Sequence, residues 1–102
     1  MNISDFDESK QTDDSIKKLC AAKQYLSEAQ IRKIAAYLTK REFADAASTA
    51  RVYDVFSKAY TEKYCRVNYT DGLYEWTSEE IYYFEKYHLM LDDAFIGYVL
   101  EK

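Results

Sequence analysis

The chain offers few side chains for proton transfer or metal binding, and their spacings are quickly exhausted. His88 is the single histidine and follows Glu85 by three residues, a spacing that puts both on one face if the segment is helical. A helical Glu-x-x-His pair is a component of di-iron bundles, which combine two such pairs with two further glutamates. With one histidine, a complete site would need a symmetric dimer in which each copy also supplied a bridging acid such as Glu62. The pair also arises readily by chance in an acidic helix, so no metal or other cofactor is expected. Cys65 with His88 would make a nucleophile and base, yet no orienting acid or oxyanion-stabilising group stands beside them in the sequence. The adjacent acids Glu79-Glu80 and Asp92-Asp93 diverge around a helix instead of converging on a substrate. No catalytic residue is assigned, and the reading is a protein that binds rather than an enzyme.

The aromatic residues are the stronger functional signal. Eleven tyrosines, five phenylalanines and one tryptophan occur in 102 residues, and most lie between Tyr53 and Tyr98. Tyr and Trp combine a large contact area with few rotatable bonds and a polar tip, which enriches them in binding surfaces. Tyr82, Tyr83 and Tyr87 fall off the Ile81, Phe84, His88, Leu91 stripe, and Tyr69, Tyr74 and Trp76 precede it. With Glu79 these six rings form the expected partner-binding surface, aromatic and acidic, suited to a protein partner with a basic surface. A small regulator or inhibitor of a larger partner would look like this. The alternative for the rings is half-buried packing, within one chain or in a homo-oligomer that uses the chain as a structural subunit.

Charge is partitioned along the chain. Residues 1–14 are acidic, residues 15–66 carry an excess of Lys and Arg, and residues 67–102 are acidic again, for a net charge of −4. A nucleic-acid interface built on Lys33, Lys40, Arg41, Arg51 and Lys58 is the alternative function. It is the weaker reading, because Glu28 to Arg32, Asp54 to Lys58 and Glu62 to Arg66 are favourable i, i+4 pairs on predicted helices. The acidic ends of the chain also screen the basic middle.

The elements that would position these residues are marked by three capping-box patterns. Leu26-Ser27-x-x-Gln30-Ile31, Leu38-Thr39-x-x-Glu42-Phe43 and Trp76-Thr77-x-x-Glu80-Ile81 each pair a hydroxyl with a Glu or Gln three residues on, flanked by apolar residues placed to form a staple. They predict helices from Ser27 to about Leu38, from Thr39 to about Tyr64, and from Thr77 onward, preceded by a short helix from Asp14 to near Leu26. The third is supported by Phe43, Ala46, Ala47, Ala50, Tyr53, Tyr60 and Tyr64 at spacings of three, four and seven. In the last, Ile81, Phe84, His88, Leu91, Phe95 and Tyr98 form a bundle seam, with Asp92-Asp93 able to cap a separate final helix instead. Periodicity fails over about 66–76, where Asp71-Gly72 marks a turn in a loop or short β-hairpin. The expected fold is all-α, a small helical bundle of four main helices.

Length limits the chain to one domain, 14–102, behind an acidic flexible arm, 1–13. Pro is absent and only two glycines occur, which argues against a phosphate-cradling glycine loop. No apolar run reaches membrane-spanning length, the N-terminus lacks a secretory pattern, and Cys20 and Cys65 show no CxxC spacing, so cytoplasmic residence with reduced thiols is expected.

Overall fold

In a computed structural model, residues 1–6, 13–21 and 26–102 are described, with the backbone alone for 46–50 and 62–65. Four helices, α1 (Asp13–Ala21), α2 (Glu28–Leu38), α3 (Ser78–Tyr87) and α4 (Asp93–Leu100), accompany three strands, β1 (Ala44–Asp54), β2 (Ala59–Thr70) and β3 (Glu75–Thr77). The strands form one antiparallel sheet in the order β1-β2-β3. The fold is therefore mixed α/β, and the all-α helical bundle expected from the sequence is corrected.

The correction falls on the predicted helix from Thr39 to Tyr64. Two of the three capping boxes form: Ser27 and Thr77 each accept from the backbone N–H three residues on, and Gln30 and Glu80 accept from the cap residues' own N–H. Thr39 does something else, donating its hydroxyl back to the carbonyls of Ala35 and Ala36 and so closing α2. A single 3₁₀ turn, Arg41–Phe43, follows before β1 begins. The alanines that suggested a helix are compatible with either state. The β-branched and aromatic residues around them, Val52, Tyr53, Thr61, Val67 and Tyr69, favour a pleated surface.

Both hairpin turns are organised by an aspartate. Asp54 Oδ1 accepts from the N–H of Phe56 and Ser57 in the turn between β1 and β2, where Lys58 takes the left-handed conformation. Asp71 Oδ1 accepts from the N–H of Leu73 and Tyr74 between β2 and β3, and Gly72 takes φ 95°. Register is kept by pairs such as Tyr53 with Tyr60 and Tyr69 with Trp76, with irregularities along β1 that bend the strand.

The seam predicted from Ile81 to Tyr98 breaks at His88, which ends α3 in the left-handed conformation, exposed and off the apolar face. Its N–H reaches Phe84 O, the bond of a left-handed helix cap, and the Leu89 N–H reaches Tyr83 O, so that the chain turns and carries Leu89 into the core. The polypeptide then re-enters helix at Asp92.

The core lies between the sheet and the helices. α3 packs on β2 and β1, α2 packs against α4 and α3, and α1 touches α3. Ile34 and Leu38 of α2, Ile81 and Phe84 of α3, and Phe95 and Val99 of α4 are buried together with Val52 and Trp76 from the strands. The first residues join them: Ile3 and Phe6 are buried, Asn2 bridges to Glu75, and the Glu75 N–H donates to Met1 O. Residues 7–12, in the acidic segment, lie outside the described set, as do the side chains of Glu62 and Cys65. No helix among the described residues is long and apolar enough to cross a membrane.

Candidate functional site

Four of the six aromatic residues expected at a partner surface are in the core. Tyr83 is 0% and Trp76 2% exposed, and Tyr74 and Tyr82 are buried beside them. Trp76 Nε1 donates to Leu38 O, and the Tyr74 ring meets Phe95 edge-on at 4.9 Å. Tyr83 donates to Tyr53 O at 2.6 Å and accepts from the Val55 N–H. Tyr69 and Tyr87 are half-buried, as is Glu79, whose Oε1 lies 2.7 Å from Arg66 Nε. Burial raises the Glu79 carboxyl above its usual range despite Arg66, with neighbouring Glu80 adding to the rise.

The tyrosine hydroxyls converge on the two turn aspartates. Asp54, 1% exposed, receives Tyr82 and Tyr87 on Oδ2, the latter at 2.6 Å, while Oδ1 holds the turn. Asp71 repeats the scheme with Tyr37 and Tyr98, the latter at 3.0 Å. Burial pulls both carboxyls upward, but the hydrogen bonds from the tyrosines and turn amides together outweigh it and hold them below the usual range. The same contacts, after burial, raise Tyr87 to about 12. These groups are saturated with partners and serve to pin each hairpin turn to the helices.

The concave surface lies elsewhere, in a cleft of about 510 Å³ beside β3. Its walls come from the N-terminal segment (Phe6), the start of β1 (Asp45), the end of β2 (Tyr69), β3 (Glu75 and Trp76) and the first turn of α3 (Glu80). None of the described residues that line it is Lys, Arg or His. Tyr69 and Trp76, opposite each other in the register, form an offset parallel pair with centroids 6.1 Å apart and planes 2° from parallel. The phenol is the more exposed ring of the two. Glu80 is 5% exposed; its Oε2 accepts from Ser4 Oγ at 2.7 Å and its Oε1 from the Thr77 N–H. Burial raises its carboxyl to about 7, opposed by those hydrogen bonds and reinforced by the negative charges of Asp92 and Glu75. A concave surface that combines Asp45, Glu75 and Glu80 with aromatic rings attracts a cation.

Of the expected site residues, the cleft brings together Tyr69 and Trp76 and leaves Tyr74, Glu79, Tyr82, Tyr83 and Tyr87 outside its lining. It adds Asp45, Glu75 and Glu80, which the sequence reading did not select. Glu80 was legible as a cap; its contact with Ser4 spans 76 residues and has no local signal. The basic residues of the nucleic-acid alternative are dispersed over α2, the 3₁₀ turn, β1 and the first hairpin turn. Lys33 Nζ is engaged by the carbonyls of Leu100 and Lys102, and Lys40 Nζ lies 5.3 Å over the Tyr37 ring. Glu85 and His88 are exposed at the end of α3, and no cluster of three or more His, Cys, Asp or Glu able to hold a metal occurs among the described residues. No protein-family model, curated protein or solved structure matches the chain.

Proposed function

We propose that this chain is a non-catalytic protein-interaction module that receives a basic segment of a larger partner at the cleft beside β3. The observation that carries the reading is the cleft's composition: stacked Tyr69 and Trp76 with Asp45, Glu75 and Glu80 around them and no cation among the described residues of the lining. The interaction surface expected from the C-terminal half is thereby narrowed to the end of β2, β3 and the start of α3, extended by the N-terminal segment and the start of β1. Tyr37, Tyr82, Tyr87 and Tyr98 serve the fold, because their hydroxyls are spent on Asp54 and Asp71. Those carboxylates are held ionised by four donors each, which leaves them poor candidates for proton transfer. Cytoplasmic residence accompanies this reading, supported by the free, half-buried Cys20.

The test is charge reversal at exposed positions of the rim. Asp45→Lys with Glu75→Lys replaces exposed side chains and relieves the like charge on Glu80, so circular dichroism should match the parent and urea stability should not fall. Proteins captured by the parent chain from its own cells should be lost by the double variant. Equal capture by both would refute the cleft as the interaction surface.

A further inference from the structure

Resting on that reading, we infer that the cleft is a receptor for a single arginine side chain, its guanidinium laid on Tyr69 and paired with Glu75 and Glu80. Three features select this group over other cations. A guanidinium is planar and weakly hydrated, so it stacks on an aromatic face at low desolvation cost, whereas an ammonium holds its water. Tyr69 is held parallel to and offset from an indole that is itself anchored through Nε1 to Leu38 O, so the phenol offers a ring of fixed orientation. The acids stand on different elements, Glu75 exposed on β3 and Glu80 buried on α3, so they can engage different edges of a fork of five donors.

Glu80 is the distinctive component. Among the described residues each of its oxygens has one hydrogen-bond partner, Ser4 or Thr77, whereas a carboxylate can accept about four bonds, which leaves capacity on both. Asp92 and Glu75 both act on it with like charge, and among the described residues lining the cleft no cation answers them. An incoming guanidinium supplies that missing positive charge in a site shielded by Phe6 and Trp76. A cleft of about 510 Å³ accommodates the side chain with its aliphatic stem.

The experiment titrates the full chain with blocked tripeptides Gly-Arg-Gly, Gly-Lys-Gly and Gly-citrulline-Gly while following the Trp76 indole N–H by NMR. Citrulline keeps the shape and removes the charge. The arginine peptide should bind at least tenfold more tightly than either other peptide, and Tyr69→Leu or Glu75→Gln should each weaken it at least fivefold. Unchanged circular dichroism and urea midpoints certify the two variants; should Tyr69→Leu unfold, the exposed Glu75→Gln carries the test alone. Equal binding of arginine and citrulline peptides, equal binding of lysine, or indifference to Glu75→Gln would each overturn the assignment. A 20-residue Lys/Arg-rich peptide separates the two levels of the reading. If it binds in a manner lost on Asp45→Lys/Glu75→Lys while the arginine tripeptide shows no preference, the interaction module stands and the arginine receptor falls. If no basic probe binds, both fall.

Discussion

Replacing Asp54 by Asn should destabilise the fold by about 3 kcal/mol at pH 7, because two tyrosine hydroxyls lose an ionised acceptor. Asn keeps one carbonyl oxygen for the Phe56 and Ser57 amides but turns the other oxygen into an NH₂ donor facing the hydroxyls of Tyr82 and Tyr87. A hydrogen bond to an ionised acceptor contributes about 1.5–3 kcal/mol. Tyr82 is buried and loses most of that, about 2 kcal/mol, whereas half-buried Tyr87 recovers part from water and loses about 1 kcal/mol. The Lys86 contact at 3.8 Å adds little, because that lysine is more than half exposed. Urea unfolding followed by circular dichroism and Trp76 fluorescence measures the change. A double-mutant cycle with Tyr82→Phe should show coupling of about 1.5 kcal/mol, since the second substitution removes a bond already lost. Tyr37→Phe, whose partner Asp71 stands at the opposite end of β2, should combine additively with Asp54→Asn. Because the native carboxyl lies below its ordinary value, its contribution is present above about pH 4 and disappears as pH falls through the native-state value. The variant and the parent should therefore converge in acid. A cost below about 1 kcal/mol, or equal coupling to Tyr82 and Tyr37, would refute the argument that Asp54 holds the first hairpin to α3.

Glu80 should act in the opposite sense, because burial raises it from 4.5 to about 7. Its contribution is complete below about pH 4.5 and is lost as pH rises through 7, so the parent should lose urea stability relative to Glu80→Gln between pH 5 and 8; a relative gain would contradict the burial. Ser27→Ala should cost about 1 kcal/mol by removing a formed capping box, while Thr39→Ala should cost less than about 0.5 kcal/mol, measured by thermal or urea unfolding. Gly72→Ala should cost about 1 kcal/mol through its φ of 95° alone, since no atom lies within 4 Å of an added Cβ, and Gly72→Asn should recover part of the loss.

What local chemistry can specify was written in the sequence. The boxes at Ser27 and Thr77 start α2 and α3 because a hydroxyl and a Glu or Gln three residues apart satisfy the same exposed amides wherever they occur. The Asp71-Gly72 turn follows from a left-handed position that glycine adopts without strain. Thr39 carried the same local signature, but its hydroxyl closes α2, since a donor near a helix end can bond backward as well as forward. The segment after it pairs as β1 and β2 although its alanines favour helix, because the β-branched and aromatic residues around them and the long-range pairing with residues 59–70 outweigh that local preference.

The aromatic excess was legible as a composition but not as a placement. Tyr82 and Tyr83 lie off the apolar stripe of α3 and would face water on an isolated helix. The sheet, absent from an all-α reading, provides a second surface that covers them, and Asp54 and the Tyr53 carbonyl accept their hydroxyls there. The cleft is a tertiary product throughout. Glu80 acquires its buried partner from Ser4, and Tyr69 meets Trp76 only through the register of β2 with β3. The sequence alone determined which residue types are available and where two helices begin. Tertiary packing decided which rings are enclosed and which acids face one cavity, because burial and charge proximity depend on contacts between residues far apart in the chain.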